Sequence, residues 1–405
     1  LAPFTRIHKN LVHAVVETLN EIFVNQRYAD KAIERTLQSN KKWGSRDRAF
    51  IAENTYEIVR WWRLITEIGD IKEFDREGLW KIFGTWWAYD GNELPEWDEF
   101  KTIRIPELKK RYEKLQKIRK VNESIPDWLD ELGASELPER WEKELHALNL
   151  PADVVLRANT IKTTRDQLFR TLHEEGIETR KDDDYPDALI LLKRQNVFSS
   201  DSFKTGLFEV QDASSQLVAS NLSVEPGMRV VDACAGAGGK ALHLAALMKN
   251  KGRIVAMDTE AWKLENLKKR AARAGVSIIE TKLIESSKTI KRMYDSADRL
   301  LLDVPCSGLG VLRRNPDTKW KLNQEFITNI RNTQQQIFEH YSSIIKKEGQ
   351  LIYSTCSILP SENTEQVKKF LAAKPQEFVL QQEKKVYPSE SGFDGFYIAK
   401  LKRIQ

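Results

Sequence analysis

A chain of 405 residues is longer than one ordinary hydrophobic core, so two or three domains are expected. Hydrophobic residues at 41% and charged residues at 30% give the balance of a soluble globular protein, and no apolar run approaches the roughly 20 residues of a membrane span. Lys+Arg at 64 against Asp+Glu at 59 leaves a net charge of +5, which permits a polyanionic partner without demanding one.

Residues 1–10, LAPFTRIHKN, lack a secretory hydrophobic core, and the expected location is the cytoplasm. From there to about residue 130 the pattern is helical. Leu11, Val15, Leu19 and Ile22 recur at helical spacing, as do Leu108, Tyr112, Leu115 and Ile118, and strand alternation is absent between them. A helical domain over residues 1–137 is therefore expected. Basic residues cluster in KKWGSRDR (Lys41, Lys42, Arg46, Arg48) and again at Lys109, Lys110, Arg111, Lys114, Lys117, Arg119 and Lys120. They fit either a solvated helix surface or phosphate contact. Trp61, Trp62, Trp86 and Trp87 are expected in the core or at domain contacts.

The composition shifts near Pro138. VVLRAN (154–159) reads as a strand, TRDQLFRTLHEEG (164–176) as a helix and ALILLK (188–193) as a strand, a small β-α-β module spanning 138–204. Asp182, Asp183 and Asp184 read as a solvated loop. Arg157 and Asn159 suit RNA contact or a bond between domains equally well.

From 205 to 405 strands and helices alternate as in a doubly wound α/β sheet. RVVDA (229–233), RIVAM (253–257), SIIETKLI (277–284), RLLLD (299–303) and QLIYS (350–354) are the strand candidates, with helices over 260–274 and 324–347. Apolar on both faces, such strands belong in a sheet covered on both sides. The first runs into DACAGAGGK (232–240), whose glycines let the backbone approach a ligand at a helix N-terminus. Asp258 closes the next strand, where a carboxylate can accept both ribose hydroxyls. Loop and acid together point to a nucleoside cofactor without saying which. A Walker loop is excluded, because GxxxxGK[ST] is absent.

The three cysteines, Cys234, Cys306 and Cys356, are odd in number and lack CxxC spacing, so neither a disulfide framework nor a metal site is expected. Cys306 in LLLDVPCSGLG and Cys356 in LIYSTCSILP each follow an apolar strand candidate. A single cysteine is more often a small core residue. Two at strand ends, flanked by Pro305, Gly308, Gly310 and Pro360, suit joint work on one pyrimidine base. Carbon 5 of such a base is a poor nucleophile until a thiolate adds at carbon 6, and a nearby acid must then stabilise the ring charge. Asp303, three residues before Cys306, can be that acid. A second thiol has work in releasing the product.

The segments 232–240, DVPCSGLG (303–310), RRNPDTKW (313–320) and YSTCSILPSEN (353–363) resemble successive motifs of the Sun/RsmB family of S-adenosylmethionine-dependent RNA (cytosine-5) methyltransferases. FEVQDASSQL (208–217) and DGFYIAKLKR (394–403) are similar to further family segments, so the likeness covers the C-terminal half. It implies a Rossmann-like class I methyltransferase domain, S-adenosylmethionine as cofactor, and an adduct in which Cys356 attacks and Cys306 assists release. The cofactor contacts it implies are Cys234, Ala235, Gly236, Ala237, Gly238, Gly239, Lys240, Asp258, Glu285 and Asp303, with Lys240 and Asp303 also facing the base. Glu285 stands where the family usually has Asp, and Gly236 and Ala237 where it commonly has Ala and Pro; a floppier loop is the expected cost. The helical region, through SRDRAF (45–50) and IVRWWRLI (58–65), looks like the family's NusB-like RNA-binding domain, and 156–168 resembles the connecting segment. Ribosomal RNA is thus the expected substrate and tRNA the alternative, with the chain a monomer. A silent RNA-binding assembly factor and a DNA cytosine methyltransferase are rival readings. The second predicts Cys306 as nucleophile and a large insert after it, which is absent.

Overall fold

The computed structural model describes residues 7–405; the first six residues, part of the stretch read for a leader, lie outside the described residues. The chain divides into two compact units, one of residues 1–150 with 312–323 and one of residues 151–311 with 324–405.

The first unit is helical, including Lys9–Phe23, Ala29–Ser39, Ser45–Arg60, Trp62–Gly69 and Arg76–Tyr89. The recurrence at Leu11, Val15, Leu19 and Ile22 produces one buried stripe, packed with Ile51, Ile58, Ile65 and Phe83. Trp62, Trp86 and Trp87 are buried in this core and Trp61 packs against it, as expected of them. The helical unit runs beyond the composition shift at Pro138, through Trp141–Asn149. It also takes in 312–323, the segment carrying RRNPDTKW. Asp317 accepts from the Ala29 amide at 2.9 Å, Trp320 donates to the Val59 carbonyl at 2.7 Å, and Lys319, 1% exposed, donates to Asn149 Oδ1 at 3.1 Å. Each bond satisfies a polar group that burial would otherwise penalise.

The second unit begins with β1 (Val155–Ala158), β2 (Thr179–Lys181), β3 (Ala188–Leu191) and β4 (Phe208–Val210). They form an antiparallel sheet in the order β2-β3-β1-β4, so the expected β-α-β module gains strands on both sides. β4 comes from the stretch assigned to the next domain, because three residues are too short to give a periodic signal. The helix Arg165–Glu174 starts at a capping box in which Thr164 and Gln167 exchange bonds at 3.2 and 3.1 Å.

The larger sheet contains β5 (Arg229–Asp232), β6 (Arg253–Asp258), β7 (Ile279–Leu283), β8 (Ala297–Asp303), β9 (Ile345–Thr355), β10 (Phe378–Val386) and β11 (Phe396–Arg403). Its order is β10-β11-β9-β8-β5-β6-β7, parallel from β9 to β7, with β11 antiparallel between β9 and β10. This is the expected doubly wound sheet, extended by a hairpin. The helix expected over 324–347 ends at Tyr341, and β9 starts at Ile345 because Ile345 pairs with Ala297. Sheet pairing overrides the local helical pattern there. Chain order reverses between β5 and β8, the position where open α/β sheets leave a crevice outside their carboxyl ends.

Among the described residues, no helix is long and apolar enough to cross a membrane, and no group of three or more His, Cys, Asp or Glu could hold a metal.

Candidate active site

The carboxyl ends of β5, β6, β8 and β9 deliver Asp232, Asp258, Asp303 and Thr355 to one edge of the sheet. After β5 the chain turns through 233–238 into the helix Gly239–Leu247. Gly238 holds φ +86°, and a Cβ there would come within 2.4 Å of Leu267 Cγ, so the tight turn and the close packing both require glycine. Gly236, at φ +53°, donates its amide to Asp258 Oδ2 at 2.9 Å. The second Asp258 oxygen accepts from the Glu260 amide at 2.9 Å.

The loop is held from behind by two arginines, one buried and one half-buried. Arg157, 2% exposed, donates to the Gly239 carbonyl at 2.6 Å and also pairs with Gln211. Arg270 donates to the Ala237 carbonyl at 2.9 Å and to Glu209 at 2.9 Å. Asn159 bonds the carbonyls of Gly206 and Ala274 at 2.8 Å each. Arg157 and Asn159 are thus buried ties from β1 to the surroundings of the larger sheet, which removes the RNA-contact alternative for both. These bonds restrain a loop that lacks the family proline.

Asp232, 1% exposed, has neither carboxylate oxygen in hydrogen-bond geometry with a described partner. Burial, with Asp303 adding to it and Lys240 opposing, pushes its carboxyl up to about 7. An acid this poorly satisfied at the head of a ligand loop suits a cationic ligand group. Cys234, on the same loop, has its thiol pushed well up by burial and by Asp232, Asp303 and Asp258, so it is no thiolate.

Lys240 and Asp303 meet at 2.6 Å, Nζ to Oδ2, and Ser354 donates to the other Asp303 oxygen at 2.8 Å. Burial works against the ammonium, but Asp303, Cys356 and Asp232 outweigh it and hold the lysine charged above its ordinary range. The thiols of Cys306 and Cys356 lie 3.2 Å apart, both half-buried. Hydrogen bonding to Cys356, then burial and the Cys356 and Glu362 charges, push the Cys306 thiol well up. Cys306 is thereby held as the protonated thiol.

Cys306, Cys356, Asp303 and Lys240 thus gather around adjoining strand ends, beside the 234–240 loop. Glu285 lies two residues past β7 and is exposed. Sequence reasoning passed over Asp232 and Glu362 as site residues. An acid closing the first strand, and the Cys-Ser pair repeated in both cysteine motifs, were the available signals.

A mostly parallel sheet, a glycine loop after its first strand and an acid closing its second define a Rossmann-like class I methyltransferase domain. Residues 219–402 match the 16S rRNA methyltransferase RsmB/F family, and residues 125–198 match its RsmF/B-like, ferredoxin-like domain. The chain is 30% identical to the "probable ribosomal RNA small subunit methyltransferase B" of Synechocystis sp., across 95% of this chain and 97% of that one. It is 34% identical to the ribosomal RNA small subunit methyltransferase B of Vibrio vulnificus, across 68% of this chain and 66% of that one. The crystal structure of PH0851 shares the fold at a TM-score of 0.82, with 24% identity over 98% of this chain and 99% of that one. The chain belongs to the Sun/RsmB family of methyltransferases.

Proposed function

We propose that this chain transfers a methyl group from S-adenosylmethionine to carbon 5 of a cytosine in RNA, with ribosomal RNA of the small subunit as substrate. The observation that carries this reading is the approach of Cys306 and Cys356 to 3.2 Å within a site that also holds the Lys240–Asp303 pair. The relatives named as small-subunit ribosomal RNA methyltransferases support the choice of RNA.

Residues of this chain fit the cofactor. Asp232 offers a buried, unpartnered carboxylate to an ammonium, Asp258 offers ribose-binding oxygens, and Cys234, Ala235, Gly236, Ala237, Gly238 and Gly239 supply close backbone approach. Glu285 is a further contact to the adenosine end. S-adenosylmethionine, when bound, supplies an electrophilic methyl group.

The chemistry follows from which thiol is held protonated. Cys306 is held as the thiol, so the attack falls to Cys356, whose anion the Lys240 ammonium would favour. Cys356 Sγ adds to carbon 6, and the electron pair of the 5,6 double bond moves onto the ring. Asp303, hydrogen-bonded to the Lys240 ammonium, relays a proton from it to the ring nitrogen and so stabilises that charge. Carbon 5 would then take the methyl group, the electron pair of the broken carbon–sulfur bond staying on the sulfur of the cofactor. Loss of the carbon 5 proton to a base re-forms the double bond and expels Cys356 as thiolate, and Cys306 assists this step. Looped or single-stranded RNA makes insertion of the base cheap.

The test is methyl transfer from labelled cofactor to RNA. Cys356→Ala should abolish transfer in a folded protein. A Cys356→Ala variant as active as the parent would overturn the reading.

A further inference from the structure

Behind the two thiols lies a carboxylate that the reaction does not consume. Cys306 is followed by Ser307 and Cys356 by Ser357, and both serines are buried against Glu362, which is 0% exposed. Glu362 Oε1 accepts from Ser307 Oγ at 2.5 Å and from Ser357 Oγ at 2.6 Å. Oε2 accepts from the Ser307 amide at 2.8 Å and from Gln334 Nε2 at 3.0 Å, and the same Gln334 nitrogen reaches the Pro305 carbonyl at 3.0 Å.

We propose that Glu362 is a positioning residue: one buried carboxylate clasps the turns following Cys306 and Cys356 and so sets the spacing and orientation of their thiols. The inference rests on the proposed function, in which the two thiols act in succession on one base.

Two features make the clasp specific. Its partners are the immediate successors of the two cysteines, so a shift of either serine moves its thiol. Glu362 is also the charged group at which the two turns meet, among neutral ties that include Ser307 Oγ to Ser357 Oγ at 3.3 Å, the Ser357 amide to Thr355 Oγ1 at 3.2 Å, Asn363 Nδ2 to the Ser357 carbonyl at 2.8 Å and the Gly310 amide to the Cys356 carbonyl at 2.9 Å. The Glu362 charge also adds to the forces that keep the proton on Cys306. Glutamine at this position separates shape from charge. Its oxygen can keep the Ser307 amide and Gln334, while its amide donates to two serine hydroxyls that rotate to accept.

The experiment measures iodoacetamide labelling of Cys356 and Cys306 by peptide mass spectrometry in the RNA-free full chain, alongside kcat and KM for methyl transfer. Glu362→Ala should change the Cys356-to-Cys306 labelling ratio about tenfold and lower kcat about a hundredfold, with KM little altered, since misplaced groups lose reaction geometry before binding. Glu362→Gln should restore the parental ratio to within about threefold because it retains the hydrogen-bond count. The core-cavity variant Phe378→Ala, a control for general destabilisation, should leave the ratio unchanged. Should Glu362→Ala not fold, Ser307→Ala and Ser357→Ala carry the same test, each shifting the labelling of its adjacent cysteine. A ratio unmoved by these substitutions, or moved equally by Phe378→Ala, would overturn the proposal. Because labelling needs no RNA, it stands apart from failure of the proposed function, which Cys356→Ala reports separately.

Discussion

Lys240 Nζ and Asp303 Oδ2 stand 2.6 Å apart, joining the cofactor loop to the end of the strand that leads into Cys306. Both side chains are largely buried, so neither can lose its partner without leaving a charge in a poor solvent. Lys240→Met is expected to lower kcat by about a hundredfold, the scale of losing one charge-stabilising group at a reacting centre. Asp303→Asn should cost at least as much, since it also removes the acid. Single-turnover kinetics check both, and a Lys240→Met enzyme within about threefold of the parent would remove the lysine from the chemistry.

On the proposed reading, Asp232 should make cofactor binding pH-dependent. Its carboxyl is raised from the ordinary 3.8 to about 7, so between those values the folded chain holds a proton that the unfolded chain has lost. This group's contribution to stability is therefore full below about 4 and declines as the pH rises to about 7. A bound cation favours the ionised form, so cofactor affinity should rise with pH up to about 7 and binding below that pH should release a proton. Calorimetry in buffers of different ionisation enthalpy measures the release, and Asp232→Asn should abolish it.

Gly310 is a packing requirement beside Cys356. A Cβ there would meet the Gly395 carbonyl oxygen at 2.2 Å and the Cys356 carbonyl oxygen at 2.7 Å, both backbone atoms that cannot turn aside. Gly310→Ala should cost about 2–3 kcal/mol of stability, the scale of overpacking, and should reduce methyl transfer more than cofactor binding. Denaturant melts and cofactor titration separate the two effects.

Lys319 should behave as a buried amine that its unit would rather hold uncharged. Burial first, then Arg60, pushes its ammonium well below the ordinary range. Lys319→Met fills similar space without a polar head and should leave stability within about 1 kcal/mol of the parent or above it. Lys319→Ala opens a cavity and should cost about 2 kcal/mol or more. Urea unfolding of the two variants checks the contrast.

The parts of this protein visible in its sequence were those written locally. Runs such as RVVDA and RLLLD reveal buried parallel strands, and cysteines placed after such runs mark adjoining strand ends. β10 escaped because its residues are exposed between Phe378 and Val386 and carry Glu383, Lys384 and Lys385, a polar edge strand without an apolar pattern. RRNPDTKW was recognisable as a motif, yet its work is to lock into helices formed far earlier in the chain. Asp317 reaches Ala29 and Trp320 reaches Val59, pairings that no local spacing encodes. Asp232 and Glu362 look like ordinary acids until burial surrounds them.

The division of labour between the thiols is tested most directly by mapping the covalent adduct. Cys306→Ala, incubated with RNA and S-adenosylmethionine, should accumulate a protein–RNA adduct, and mass spectrometry after nuclease digestion should find the nucleotide on the peptide carrying Cys356. A nucleotide found on Cys306 in the Cys356→Ala variant, with none on Cys356 in the reciprocal one, would contradict the account.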